Sequence, residues 1–114
     1  MDKNKFSISS DATEDYEPFL NGDEQAGEVH WLTQSNSSGE PTYSGLWRCE
    51  PMSFDYIFPG DEYIHVLQGD LLIELANGDS VNLTQGDVAA FDKGVESKWT
   101  IRKSFKKFFV ISNC

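Results

Sequence analysis

Few residues in this chain could do chemistry, and their spacing excludes most familiar sites. There are two histidines, His30 and His65, and two cysteines, Cys49 and Cys114. The cysteines lack CxxC spacing, and no His/Cys arrangement has the spacing of a zinc site. No Ser/His/Asp constellation, nucleophile elbow, phosphate-binding loop or dinucleotide fingerprint occurs. His65 stands three residues from Glu62, and on a strand that separation sends the two side chains to opposite faces. Arg102, Lys103, Lys106 and Lys107 form a basic cluster. It reads as a solvated hairpin, or as an offset to the acidic N-terminal segment across the fold or across a dimer, and no Gly-rich cradle accompanies it. Asp92 and Lys93 read as an exposed turn, Cys49 as a small buried apolar residue and Cys114 as a free terminal thiol. Alternation places Tyr56 and Phe58 on one face of a strand, and Ser97, Trp99 and Ile101 on one face of another.

The elements that must position these residues are strands. The chain has 114 residues, 39% apolar and 13% aromatic, which is one domain with enough core to fold without disulfides. Between residue 28 and the end, short runs rich in Val, Ile, Leu and aromatics alternate with turn residues: 29–33, 46–49, 54–58, 62–67, 71–76, 80–83, 88–91, 97–102 and 108–112. Turns are expected at Ser38-Gly39, Pro59-Gly60, Gly69-Asp70, Asn77-Gly78, Gly86-Asp87 and Lys93-Gly94. Asn-Gly between alternating runs signals a tight hairpin of type I′, which needs positive φ at both central residues. No stretch holds a helical apolar period, so the fold class is all-β: a sandwich, barrel or jelly roll. Residues 34–44 read as a loop. Phe108–Ile111 is apolar on both faces, and so should be a central strand or one covered by another subunit.

Charge is uneven. The net value is −10, with 13 acids and 3 bases in residues 1–62 and six of each in residues 63–114. That balance argues against nucleic acid and against an anionic membrane surface as partners. Residues 1–28 read as an acidic segment, partly ordered or packed on the barrel, with Phe19 and Leu20 able to dock on it; residues 29–114 form the domain proper. No window of the sequence is long and apolar enough to span a bilayer, and MDKNKFSISS has no apolar stretch of the signal-peptide kind. With unpaired cysteines, the expected setting is cytoplasmic.

Two segments carry a recognisable spacing. The first is Phe54-Asp55-Tyr56-Ile57-Phe58-Pro59-Gly60-Asp61-Glu62, continuing to Val66-Leu67-Gln68-Gly69; the second is Gly86-Asp87-Val88-Ala89-Ala90-Phe91-Asp92-Lys93-Gly94, running on to Lys98-Trp99. Glu62 is followed by six residues and Gly69, and Gly86 by five residues, Asp92 and Gly94; Gly45-Leu46-Trp47 precedes both. Over residues 43–111 the ordered set resembles the two motifs of the cupin superfamily. It is most similar to the subgroup of ureidoglycine aminohydrolase domains and ethanolamine-utilisation cupins. The resemblance implies a cupin-type jelly-roll barrel (a double-stranded β-helix) and a homodimer, for which the Phe108–Ile111 strand has the right character.

The resemblance also implies where a metal would sit, and this chain departs from the pattern there. The two motif histidines fall on Tyr56 and Phe58, the glutamate on Glu62 and the last histidine on Ser97; the alternative register gives Asp55 and Ile57. One carboxylate does not hold a transition metal, so no metal and no cofactor is expected. What the resemblance leaves is an aromatic barrel mouth formed by Trp47, Tyr56, Phe58, Glu62, Ser97 and Trp99, the general form of a small-molecule pocket. Without a cation beside it, a buried Glu62 should have a raised pKa and could transfer protons, making it the candidate catalytic group. The bland counterparts are that the rings fill the core and that Glu62 makes a structural hydrogen bond to Tyr56, Trp99 or a turn N–H. Three functions follow. The first is metal-free binding of a small organic molecule. The second is an enzyme similar to the aminohydrolase or ethanolamine-utilisation cupins, or one working by proton transfer without a metal, as sugar-epimerase cupins are understood to do. The third is an interaction domain with a closed lumen.

Overall fold

The computed structural model describes residues 6–34 and 41–114. The expected Ser38-Gly39 turn, most of the loop 34–44 and the first five residues lie outside that range. Eight strands follow one another: β1 (Glu17–Asn21), β2 (Glu24–Thr33), β3 (Tyr43–Cys49), β4 (Met52–Ile57), β5 (Asp61–Leu75), β6 (Ser80–Thr84), β7 (Val88–Phe91) and β8 (Glu96–Ser112). None of the described residues is helical. All pairings are antiparallel.

Two long strands organise the barrel. The first half of β5 lies between β7 and the second half of β8, and its second half between β6 and the first half of β8. In turn, β8 pairs with β4 over Met52–Ile57 and with β3 over Tyr43–Cys49. Each long strand thus passes from one wall of the jelly roll to the other, and the side chains they share fill the space between. The expected runs 62–67 and 71–76 are one strand, as are 97–102 and 108–112. Gly69 is the reason the chain does not turn back at Gly69-Asp70. Its φ is +98°, and a Cβ there would overlap the Ser104 carbonyl of β8. Glycine therefore lets β5 bend while staying paired. The bend also switches alternation: Glu62, Ile64 and Val66 face inward before it, Leu71 and Ile73 after it.

The Asn77-Gly78 hairpin forms between β5 and β6, but the turn is not type I′. Only Gly78 has positive φ, +98°. Gly78 N–H donates to the Leu75 carbonyl at 3.0 Å, and Asn77 Oδ1 accepts from Asp79 N at 2.9 Å. That is a type I turn closed by a left-handed glycine.

The acidic lead-in contributes β1 and the start of β2. Phe19 packs against the core, whereas Leu20 is exposed. The basic cluster is not a hairpin. Arg102, Lys103, Lys106 and Lys107 lie along the middle of β8. Arg102 pairs with Asp70, and Lys106 donates to the Asp11 carbonyl at 2.9 Å. Lys107 is buried.

Candidate functional site

The inward faces of β2, β3, β4, β5 and β8 meet around a cavity of ≈ 40 Å³, taken as the space open to the centre of a water molecule. By that measure one water needs roughly 10–15 Å³, so the space suits a few waters or a very small organic group. Val29, Trp47, Phe54, Tyr56, Trp99 and Phe109 wall it, with Phe19, Trp31 and Ile111 around them. Phe19, Trp31, Phe54, Tyr56 and Ile111 are half-buried, and the cavity is not fully enclosed.

The rings lock one another. Trp47 meets Trp99 edge-on at 5.7 Å, and Tyr56 meets Trp99 at 5.2 Å, separations at which edge-to-face pairs are favourable. Trp47 Nε1 donates to the Ala26 carbonyl at 2.9 Å. Trp99 Nε1 donates to Ser97 Oγ at 3.1 Å, and Ser97 Oγ donates to the Tyr56 carbonyl at 2.7 Å. Both indole N–H groups are therefore committed to the protein.

Polar chemistry is concentrated at one end. Glu62 is 1% exposed. Its Oε1 accepts from the Tyr56 hydroxyl at 3.0 Å and its Oε2 from Lys107 Nζ at 2.5 Å. The register explains how they meet. Glu62 is opposite Ile111 and Val66 is opposite Lys107, so the two side chains share the inward face and the long lysine stem reaches along it. Lys107 Nζ also lies over the rings of Trp99, Trp47 and Phe109, 4.6, 5.0 and 5.3 Å from their centres. Those π faces are attractive to an ammonium in place of water. Burial pushes Lys107 below the usual lysine range, and the Glu62 carboxylate offsets this only in part. Burial, reinforced by the Glu62 charge and hydrogen bond, pushes the Tyr56 hydroxyl far above the usual tyrosine range. It stays a donor.

Of the residues expected at a barrel mouth, Trp47, Tyr56, Glu62 and Trp99 line the cavity together. Phe58 and Ser97 do not. Phe58 is 1% exposed and stacks on Phe91 at 4.7 Å, and Ser97 secures Tyr56 and Trp99 from behind. The expectation of a Glu62 without a cation is corrected by Lys107, which pairs with it from within the basic stretch expected to be solvated. A signal for it existed. Phe105, Phe109 and Ile111 are odd-numbered, and alternation along this second half of β8 turns Lys107 inward with them.

The donor set does not fit the metal that a cupin barrel ordinarily implies. Tyr56, Phe58, Glu62 and Ser97 offer one carboxylate, and that carboxylate already holds an ammonium, which would repel a second cation. Among the described residues no group of three or more His, Cys, Asp or Glu side chains converges on one point. His65 and Glu62 alternate along β5, and His30 is engaged by Ser9 Oγ and the Asp15 carbonyl, each at 2.8 Å.

Residues 36–109 match the family described as the EutQ-like cupin domain. No curated protein matches the sequence. Among solved structures, a Salmonella typhimurium LT2 protein described as ethanolamine utilization protein Q is similar over 97% of this chain and 89% of its own, at 17% identity and a TM-score of 0.82. The EutQ protein of Clostridium difficile is similar over 81% and 71%, at 20% identity and a TM-score of 0.67. Ectoine synthase from P. lautus is similar over 79% and 66%, at 14% identity and a TM-score of 0.68.

Proposed function

The chain belongs to the EutQ-like cupin domain family, and from that premise we propose that it binds a small organic molecule in the barrel lumen without a metal ion. The observation that supports this most is the Lys107–Glu62 pair, buried at one end of an aromatic cavity that is not fully enclosed. A core with no ligand to bind is more simply filled with apolar side chains, because a buried ion pair carries a large desolvation cost. The pair supplies one donor and one acceptor, and the rings supply an apolar wall. A compact ligand with a polar head and a short apolar body suits that combination.

A thermal-shift screen against small acids, amines, sugars and carbonyl compounds tests it, read together with Trp47 and Trp99 fluorescence. A ligand at a hundred times its Kd should stabilise by about 2.7 kcal/mol. Saturable stabilisation that is weakened in Tyr56→Phe supports lumen binding. No response from any class favours the closed-lumen, interaction-domain reading.

The chain is also proposed to form a homodimer through the outer face of β5, β7 and β8. Tyr63 is 52% exposed there and Val88 75%, and Phe108 and Val110 lie beside them. This face belongs to the half of the chain whose charges sum to zero, so two acidic molecules can approach through it. Sedimentation should give a dimer that Val88→Glu dissociates; a monomeric wild-type chain would refute it.

A further inference from the structure

The geometry points to Lys107 as a carbonyl-binding amine: we propose that the lumen takes a small aldehyde or ketone and holds it as a reversible imine on Lys107 Nζ. This rests on the lumen-binding reading above and names its ligand class.

Four observations converge. Lys107 Nζ lines the cavity, at the polar end of an otherwise apolar wall. Glu62 Oε2 accepts a hydrogen bond from it, so a proton acceptor is in place for the step that frees the amine. The Trp47, Trp99 and Phe109 rings surround the nitrogen and keep bulk water from it, and burial lowers its affinity for a proton. A lysine desolvated in an apolar pocket is the usual form of an imine-forming nucleophile. Finally, the cavity of ≈ 40 Å³ admits a carbonyl compound of about three to five heavy atoms and little more.

The chemistry closes without a further reactant. The Lys107 ammonium passes a proton to Glu62. The free amine attacks the carbonyl carbon, a C–N bond forms, and the C=O π pair moves to oxygen, which takes the proton back from Glu62. The carbinolamine then expels its oxygen as water, using a second proton from nitrogen relayed by Glu62, as the nitrogen lone pair closes the C=N bond. The products are one water and a protonated imine. That cation lies beside the Glu62 carboxylate, as the ammonium did, so the charge balance of the buried end is unchanged.

The test uses the full chain with propanal and cyanoborohydride, followed by peptide mapping by mass spectrometry. Lys107 should be alkylated several-fold faster than Lys93, Lys98, Lys103 or Lys106, since among these it alone is buried in an apolar pocket against a proton acceptor. That preference should vanish in urea, and in Lys107→Arg, which keeps the charge, the propanal-dependent fluorescence change should be lost. Propanal binding is followed in parallel by tryptophan fluorescence without reductant. Saturable binding with no preferential adduct on Lys107 overturns the imine and leaves lumen binding standing. If neither propanal nor any other small molecule binds, both fail. If Lys107→Arg does not fold, the loss of preference in urea decides alone: equal labelling of folded and unfolded chain refutes the proposal.

Discussion

Lys107 Nζ lies 2.5 Å from Glu62 Oε2, with the two side chains 6% and 0% exposed. The residues are 45 positions apart in sequence and are brought together by two adjacent strands. A charge pair withdrawn this far from water is held by geometry: Tyr56 satisfies the other carboxylate oxygen and three rings face the ammonium.

The pair should behave as a unit in stability. Removing one member leaves a buried charge unpaired, so Lys107→Met and Glu62→Gln should each cost about 3–5 kcal/mol. The double variant, with neutral side chains of similar volume, should lie within roughly 2 kcal/mol of wild type. Urea denaturation of the four proteins measures this. Additive losses would show that the two residues do not interact.

Tyr56→Phe removes the hydroxyl that donates to Glu62 and should cost about 1–3 kcal/mol, the range for a hydrogen bond to a charged group. Ser53→Ala removes an exposed hydroxyl contact between β4 and Thr100 of β8 and should change stability by less than about 0.5 kcal/mol. The same denaturation assay distinguishes them, and equal effects would place the Tyr56 hydroxyl outside the buried network.

Alkaline pH should expose Cys49. Burial pushes its thiol from 9.0 up to about 11, with a smaller push from Glu50. Between those values the unfolded chain releases a proton that the folded chain keeps, so this contribution is intact below pH 9 and is lost as pH rises toward 11. Raised Tyr56 acts in the same direction from its ordinary value of 10.0 upward. Lys107 has the opposite sign, because its lowered value makes folding more favourable as pH rises toward 10.5. Cys49→Ala should therefore show a shallower alkaline fall in stability than wild type. In native protein a thiol reagent should modify exposed Cys114 quickly and Cys49 only on unfolding.

The bend in β5 should be intolerant of a side chain. Gly69→Ala forces a left-handed alanine and drives its Cβ into the Ser104 carbonyl, a combined cost of about 3 kcal/mol or more. Gly78 has a similar φ but open space around it, so Gly78→Ala should cost about 1–2 kcal/mol. Comparable losses at the two positions would show that close packing against β8 does not set the bend.

The strand rhythm and the turn residues carried the fold class, and Glu62 was found by its spacing from Gly69. Lys107 was not found, for a physical reason. Four basic residues within six positions look like solvated surface, and a lysine is seldom buried. Only the continuity of β8 through the cluster, which puts Lys107 in alternation with Phe105, Phe109 and Ile111, turns it inward. That continuity depends on Gly69 bending the partner strand without ending it, where local turn chemistry suggests a reversal. Phe19 was legible as a docking residue but not as part of the cavity, and Trp31 was not legible at all, since their place there follows from β1 and β2 pairing alongside β3, a long-range contact that alternation alone does not specify. Phe58 and Ser97 share faces with Tyr56 and Trp99 as alternation required, but depth in the barrel, not face, separates packing from lining.

The central claim is that the Lys107 ammonium holds the carboxylate a metal would need, leaving the lumen to organic ligands. Calorimetric titration with Mn²⁺, Fe²⁺, Ni²⁺ and Zn²⁺, with elemental analysis of the purified chain, tests it most directly. The expected result is no stoichiometric binding of any of them. One equivalent of metal, bound by wild type and lost in Glu62→Gln, would contradict it.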